Sequence, residues 1–437
     1  MNRICIAAFF LIMSLTSIAQ MKPITFEEYT LDNGLDVILH RDDSAPIAVV
    51  SVMYHVGSKD EDKDKSGFAH FFEHLLFEGS RNIGRGEFFN MVEKHGGALN
   101  ANTWYDRTYY YVILPSHRLN LGLWLESERM LHAKVDEKGV NTQRKVVSEE
   151  RSQMYDNRPY GTLLEETMKR AFTVHPYKTS VIGNMDHLAN ADTTDYQRFY
   201  ETYYIPNNAV LSIAGNIDIE ETKSLVEQFF GTIPAGKTPV RNSVVEPPLA
   251  GEVRDTVYDN IQLPAVVHAY RTPAQGADGY YAVMMLSKIL SEGESSRLHR
   301  SLVDEQQLAV QVMNMPLPLE DPGVSLSVGI ANVGIDARQL EEAMDQEIDK
   351  LHNELISERE YQAVLNQIEN DMVNQLSSVA GIAERLANYK MYFGDANLIN
   401  TELERYKSIS REDIRKAAQQ YFHRDNRVAL YFLPKPQ

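Results

Sequence analysis

The chain has 437 residues, of which 43% are hydrophobic and 24% are charged, so it can bury large cores and lacks the composition of a disordered chain. Its length predicts two domains, because single hydrophobic cores usually stop growing well below this size. With 61 Asp and Glu residues against 43 Lys and Arg residues, the net charge is −18, which argues against a nucleic-acid or anionic-lipid surface.

The N-terminus has the pattern of a signal peptide. An apolar run from Ile4 to Ala19 follows a single Arg, and Ser17 and Ala19 supply the small residues of a cleavage site. The run is too short to span a bilayer comfortably, so we expect residues 1–19 to be removed, with a retained anchor as the alternative. The single cysteine, Cys5, lies in this segment, which leaves the mature chain without thiol ligands or disulfides. We expect an exported product, periplasmic or secreted, with no membrane span after signal removal.

The first half of the chain opens with strands and continues with helices. Apolar runs predict strands over Leu35–Leu39 and Ile47–His55, and a helical period follows over Gly67–Phe77. Strands gathered in runs favour a largely antiparallel sheet with helices packed on one face, which is an α+β architecture.

The predicted helix carries the sequence His70-Phe71-Phe72-Glu73-His74. Residues four apart share one face of a helix, so both imidazoles can reach one metal ion while Glu73 can meet a water molecule beside it. The alternative is a pair of exposed histidines next to an acid. The aromatic neighbours favour a largely buried helix, in which such polar groups would be costly without a metal.

A hydrolytic zinc site needs three protein ligands and one open position for water. The helical pattern over Val140–Met154 offers Glu149 and Glu150, and a carboxylate is the natural third ligand in a chain without thiols. The helical period puts Gln143, Val147 and Glu150 on one face, with Glu149 about 100° away. Glu150 is therefore the predicted ligand, and a solvated surface glutamate is the alternative.

The middle of the chain reads as a linker between two related halves. Residues 232–252 are rich in proline and glycine and have no helical period, which predicts a first domain over 20–231 and a second over 253–437. Residues near the ends of the two halves match at an offset of 218, a sign of duplication. The matched pairs are Asp195 with Asp413, Tyr203 with Tyr421, Asn208 with Asn426 and Val210 with Val428.

The second half has the same kinds of element without the metal motif. A strand is predicted over Ala265–Tyr270, and helices over Tyr280–Leu290 and Arg338–Leu355. Aligning HLLFEGS with KILSEGE replaces the two histidines and the glutamate by amino acids that cannot form this site. The replacements are Met284, Ser287 and Lys288.

The sequence resembles the pitrilysin-like zinc metallopeptidases, or inverzincins, a family that includes the mitochondrial processing peptidase β subunit and bacterial two-domain homologues. The inverted motif and the segments GFAHFFEHLLFEGS, GGALNANTWYDRTYYY and QRKVVSEERSQMYDNRPYG carry the resemblance, which covers essentially the mature chain. The family completes its site with a glutamate about 76 residues after the second histidine, and position 150 is Glu. The resemblance implies a Zn²⁺ peptidase with ligands His70, His74 and Glu150 and with Glu73 as general base.

The stretch Gly96–Tyr111 resembles the family's substrate-binding edge strand. There Asn100 and Ala101 would pair main chain to main chain with an extended peptide, which gives loose sequence selectivity because backbone bonds read no side chain. An ordinary glycine-bearing hairpin is the alternative.

Two departures from the family pattern bear on activity. Gln143 stands where the family usually has a second glutamate that supports the metal site, so a charge is lost there. Val303 and Val310 replace an Arg and a Tyr that grip the substrate and stabilise the oxyanion in fully functional members. An oxyanion donor is commonly worth about 10²–10³ in rate, so the isolated chain should be a poor enzyme.

The sequence therefore predicts a zinc-dependent endopeptidase subunit that acts on unstructured peptides outside the cytoplasm. A homologous partner bearing the Arg and Tyr would complete it as a heterodimer, and a homodimer is the other possibility. The alternative from a different class is a non-catalytic scaffold or peptide-binding subunit of the same fold. The complete set of ligands and base argues against that alternative, since a scaffold has no chemical use for it.

Overall fold

The computed structural model of the chain describes residues 22–241 and 244–436. The predicted signal peptide and Cys5 lie outside the described residues. The strands of the first half are β1 (Glu27–Thr30), β2 (Asp36–Arg41), β3 (Ile47–Tyr54), β4 (Ala98–Thr103), β5 (Thr108–Pro115) and β6 (Ala209–Gly215). Those of the second half are β7 (Val253–Asp259), β8 (Ala265–Arg271), β9 (Ala309–Leu317), β10 (Val324–Ala331) and β11 (Arg427–Pro434).

The helices follow the same division into halves. Those of the first half are α1 (Phe68–Leu75), α2 (Glu87–Lys94), α3 (Leu119–His132), α4 (Glu137–Arg151), α5 (Leu163–Ala171), α6 (Met185–Asn190), α7 (Thr193–Tyr203) and α8 (Ile219–Phe230). Those of the second half are α9 (Tyr280–Ser291), α10 (Ala337–Asn353), α11 (Glu358–Gln375), α12 (Val379–Phe393), α13 (Leu398–Lys407) and α14 (Arg411–Tyr421). Within the described part of residues 232–252 there is neither helix nor strand.

Each half forms one mixed sheet. The first has the strand order β1-β2-β6-β3-β5-β4 and the second the order β7-β11-β8-β10-β9. All pairs are antiparallel except β2 with β6 and β7 with β11. The predicted α+β class with largely antiparallel sheets is confirmed. In both sheets the last strand of the order, β4 or β9, pairs with only one described neighbour.

The two halves repeat local structure at the offset seen in the sequence. Helices α7 and α14 both begin with a capping box, in which Asp195 and Asp413 are the acidic members. After each helix an asparagine side chain ties the chain to the sheet. The Nδ2 of Asn208 donates to the carbonyls of His55 and Tyr203, and Asn426 donates in the same way to the carbonyls of Arg271 and Tyr421.

The halves are locked together by an exchange of helices. Within each half the helices cover one face of the sheet, as expected, but the opposite face is covered by a helix of the other half. From α12, Ile382 and Leu386 pack against Ile38 and Val210 of the first sheet. In return, α5 places Met168 in the apolar cluster on β8 and β11. The sequence did not predict this reciprocal packing, which brings helices to both faces of each sheet.

A buried polar cluster joins the tips of the β4–β5 and β9–β10 hairpins. Asp106 of the first tip is buried; it accepts hydrogen bonds from the backbone N–H of Glu320 at 3.0 Å and from the Tyr177 hydroxyl at 2.6 Å. The Lys59 ammonium lies 3.0 Å from Asp106 and also contacts Glu320 and Asp321. Burial opposes ionisation of Glu320, but its bonds to His55 and Lys59 lower its pKa to about 2.

Among the described residues, no helix combines the length and the hydrophobicity that crossing a bilayer would require.

Candidate metal centre

Two helices bring the predicted ligands together. His70 and His74 project from one face of α1, and Glu150 projects toward them from the last turn of α4. The Nε2 atoms of the histidines are 3.3 Å apart, and Oε2 of Glu150 lies 3.6 Å from Nε2 of His70 and 3.3 Å from Nε2 of His74. These three side chains form the one group of potential metal ligands found in the described part of the chain.

The spacing of the three atoms fits a tetrahedral zinc ion. Ligands held about 2.0–2.1 Å from a tetrahedral centre lie about 3.3–3.4 Å from one another, close to the separations observed here. Oε2 of Glu150 is buried and accepts no hydrogen bond within the described structure, so the atom is left free to bind a metal ion. The donor set of two imidazoles and one carboxylate leaves a fourth position for water, which is the composition of a catalytic zinc site.

The protonation states also suit a metal. Burial lowers the pKa of His70 to about 4, although the Glu150 carboxylate opposes this effect, so the imidazole is neutral near pH 7. The His74 side chain, 3.3 Å away, lowers the pKa of Glu150, which keeps that carboxylate ionised. Neutral imidazoles and an ionised carboxylate are the forms that bind zinc.

Glu73 lies between the ligands in sequence and faces the edge of the sheet. Its carboxyl group is largely buried, and burial raises its pKa, while the side chain of Thr103 on β4 and the charge of His74 act in the opposite direction. A carboxylate with a raised pKa beside a metal is suited to accept a proton from water and pass it on. Sequence reasoning missed Thr103, whose position next to Glu73 depends on how β4 packs on α1.

The start of α1, the candidate zinc-binding helix, is fixed by Glu61, which sequence reasoning also missed. Gly67, the N-cap of α1, has φ 92° and offers no side-chain cap. Glu61 supplies the acceptors instead, because its carboxylate receives the backbone N–H groups of Gly67 and Ala69, both at 2.8 Å. A Cβ at position 67 would lie 2.7 Å from the carbonyl of Ile182, so glycine is required there by contact as well as by φ. A helix start without a capping side chain was the available signal.

The other candidate on α4 is directed away from the site. Glu149 is exposed, and Oε1 of its carboxylate accepts a hydrogen bond from Gln153 at 2.7 Å. Immediately after Glu150 and Arg151 the helix widens into a π-helical segment over Ser152–Asp156, a feature often found at functional sites. The choice of Glu150 over Glu149 by helical phase therefore agrees with the geometry.

Gln143, which was predicted to support the metal site, forms a hydrogen bond with Glu78 and not with a metal ligand. Its Nε2 donates to Oε1 of Glu78 at 2.6 Å, and Glu78 is also paired with Arg85 at 2.9 Å. No hydrogen bond joins Gln143 to His70 or His74 within the described structure. A glutamate at position 143 would face the Glu78 carboxylate at this short distance, so the amide is the compatible choice here.

The predicted substrate strand is β4, at the free edge of the first sheet. The backbone N–H of Trp104 donates to the carbonyl of Arg107, and ladder bonds recur at every second residue, so Asn100 is directed at β5 and Ala101 at the free edge. The Oδ1 of Asn100 accepts the outward N–H of Ala101 at 2.9 Å. Of the two predicted substrate-binding residues, Ala101 thus directs its main-chain groups at the free edge, and Asn100 directs its own at β5.

The two valines of the second half lie in different environments. Val303 lies half-buried in a π-helical segment, His299–Glu305, and Val310 is 47% exposed near the start of the edge strand β9. Neither side chain can donate a hydrogen bond.

Comparison with known proteins identifies the family. Two family models match in succession, one described as insulinase (peptidase family M16) over residues 36–184 and one described as peptidase M16 inactive domain over residues 190–368. The chain belongs to peptidase family M16. This confirms the resemblance seen in the sequence, and the description of the second model agrees with the loss of the metal motif from the second half.

Relatives of the chain are named as zinc proteases. The zinc protease PqqE of Helicobacter pylori is 29% identical over 93% of both chains. A probable β subunit of the mitochondrial processing peptidase from Arabidopsis thaliana is 22% identical over 92% of this chain and 77% of its own. The structure of a protease from Helicobacter pylori matches with a TM-score of 0.90 at 29% identity, covering 94% of this chain and 100% of the other. A putative M16-like peptidase from Alicyclobacillus acidocaldarius has a TM-score of 0.83 at 20% identity, covers 95% of this chain and 99% of its own, and supports the fold.

Proposed function

We propose that this M16 protein is a zinc-dependent endopeptidase that hydrolyses unstructured peptides. The observation that carries the proposal is the triangle of His70, His74 and Glu150, whose edges of 3.3–3.6 Å match a tetrahedral zinc site, with Glu73 beside it. A non-catalytic scaffold of the same fold would need neither the triangle nor the base.

The division of chemical work follows from the positions of the groups. Zinc, when bound, supplies a Lewis acid and makes water acidic enough to attack near neutral pH. Glu73 takes the proton of the attacking water and delivers it to the leaving amine. The outward C=O of Ala101 accepts a hydrogen bond from the extended substrate backbone, and its N–H donates one once the Asn100 side chain releases it. A folded protein has few strands free to pair in this way, which favours unstructured peptides as substrates.

The absence of the expected Arg and Tyr supports a two-subunit enzyme. Val303 and Val310 cannot stabilise an oxyanion, so we infer that a homologous subunit contributes these donors, with a homodimer as the competing arrangement. The apolar run before residue 20 supports action outside the cytoplasm.

Glu73→Gln tests the proposal directly. The variant should retain zinc, because both histidines and Glu150 remain, and should lose about 10²–10⁴-fold in kcat, because the general base is gone. Zinc content is measured by elemental analysis, and turnover is measured with a library of extended peptides, each with and without a homologous subunit that carries the Arg and the Tyr. Glu149→Gln is the matched control and should change neither quantity. Equal turnover by Glu73→Gln and wild type would contradict the assignment of the base, and full turnover by the isolated chain would contradict the need for a partner.

A further inference from the structure

A large crevice lies on the face of the first sheet opposite to the zinc-binding helix. Its volume is about 610 Å³. Helix α12 packs on β2, β6 and β3 and against Tyr109 and Tyr111 of β5, and the space opens between this helix and β4 at the free edge. Asn102 and Tyr111 form its floor, and Gln375 and Asn388 stand on its helical side. We call this space the outer crevice.

A peptide paired with the edge of β4 would reach both faces of the sheet. Side chains alternate between the two faces of a strand, and directly paired residues place their side chains on the same face. On β4 itself, Thr103 lies beside Glu73 on the face of α1, whereas its neighbour Asn102 lines the outer crevice. Every second side chain of the peptide would therefore point away from the metal centre and toward the outer crevice.

One charged side chain of the outer crevice, Arg385, has no oppositely charged partner within the described structure. Arg107 is paired with Glu384 at 2.8 Å and also donates to Oδ1 of Asn102 at 2.5 Å. Arg385 is half-buried and lies over the ring of Tyr389, 5.6 Å from its centre. No carboxylate within the described ranges lies within salt-bridge distance of Arg385. Within the described structure, Arg385 is thus a cation of the lining without an acidic partner, whereas the Glu384 carboxylate is paired and most of the remaining lining carries amide or hydroxyl groups.

We propose that the outer crevice is a specificity subsite that prefers acidic side chains at the substrate positions pointing away from the zinc-binding helix. Arg385 would form a charge-assisted hydrogen bond with a carboxylate there, while Glu384 is already neutralised by Arg107. The inference rests on the proposed peptidase function and adds the substrate class. Because the whole chain carries a net charge of −18, long-range attraction cannot produce such a preference, and a local contact is required.

The test uses the full chain loaded with zinc and carrying Glu73→Gln, so that bound peptides are not cleaved. Three fluorescent peptides of identical length alternate serine with Glu, Gln or Lys, and their Kd values are measured by anisotropy. We expect the Glu peptide to bind about five- to ten-fold more tightly than the Gln peptide and the Lys peptide to bind most weakly, as for one partly exposed charged hydrogen bond. Arg385→Gln should remove this order, and Arg385→Glu should reverse it.

Two further variants make the result unambiguous. Gln375→Glu adds a carboxylate on the exposed side of the outer crevice without disturbing packing, and it should weaken the preference even if Arg385 variants fold poorly. Arg338→Gln removes an equal charge from the surface of α10, where the side chain is 82% exposed, and should leave the preference unchanged. An unchanged preference in both Arg385→Glu and Gln375→Glu overturns the subsite. The wild-type protein, in which Glu73 is intact, is assayed for cleavage of the same peptides. Cleavage without charge preference refutes the subsite alone. No cleavage, with or without the homologous subunit, refutes the peptidase function as well.

Discussion

Helix α1, which carries the two histidines, and its counterpart α9 place different chemistry at the same point of one scaffold. In the second half Lys288 stands where His74 stands in the first, and its ammonium lies 2.6 Å from Asp371 on α11. Asp371 is the fourteenth residue after the N-cap of α11, and Glu150 is the fourteenth after the N-cap of α4. An acid on the second helix is thus present in both halves, but in one it faces two imidazoles and in the other an ammonium group.

The comparison teaches that both halves set a side chain of the first helix against an acid of the second, with a different kind of group facing the acid in each half. A Lys ammonium brings its own positive charge, so the Lys288–Asp371 pair needs no added ion. Burial lowers the pKa of His70 to about 4, so that imidazole brings no positive charge, and a bound cation would supply the charge that Glu150 lacks. A bound cation would therefore do for Glu150 what the Lys288 ammonium does for Asp371 and for Glu292, which it also contacts.

The largest expected effect comes from removing one of the metal ligands of the first half. His74→Ala removes one of three protein ligands and should lower zinc affinity by more than about 100-fold, since even the loss of groups that only support ligands costs about 10–100-fold. Zinc bound per chain after dialysis against a buffered metal series measures it. Lys288→Ala is the matched control at the equivalent position and should leave zinc content unchanged. Equal zinc retention by both variants would contradict the site.

The hairpin tips extend the comparison, because the first half contributes Asp106 and the second contributes Glu320 to one cluster. The pKa of Glu320 in the folded protein, about 2, is below that in the unfolded chain, so its contribution to stability is complete above about pH 4.5 and is lost as the pH falls toward 2. Glu320→Gln should therefore cost about 2 kcal/mol at pH 7, after allowance for solvent screening, and almost nothing near pH 2. Urea unfolding of both proteins across this range measures the difference, and a pH-independent difference would contradict the shift.

A smaller effect tests the second-half ion pair. Lys288→Met leaves Asp371 without its cation in a site where the Lys288 side chain is 16% exposed, and it should lower the free energy of unfolding by about 1–2 kcal/mol without altering zinc content. Thermal unfolding measures the change. The control is Lys407→Met, which breaks an exposed pair with Glu404 and should cost less than about 0.5 kcal/mol. If the two variants were equally stable, the Lys288–Asp371 pair would have no special structural role.

Local elements were predictable because they depend on nearby residues. The apolar run over Ile47–His55 becomes β3, and the helical period over Gly67–Phe77 becomes α1, with ends that differ by one or two residues. The phase of α4 likewise selected Glu150 over Glu149, since an angle around a helix is fixed by spacing alone.

Contacts between distant segments were not predictable in this way. The covering of each sheet by a helix from the other half depends on shapes that meet only after both halves fold, and no periodicity records it. The same holds for Thr103 beside Glu73 and for the direction of Asn100, which follows from the register of β4 on β5.

The sequence by itself determined the kind of chemistry, because the spacing of His70, Glu73 and His74 on one helix is set by the helical repeat and their ligand character by the side chains. Tertiary structure decided everything that required a second segment: that Glu150 lies 3.3 Å from His74, that Glu61 caps the helix, and that a crevice opens beside the substrate strand. The physical reason is that a metal site and a binding cleft are defined by distances across the fold, and sequence spacing fixes distances only within one element.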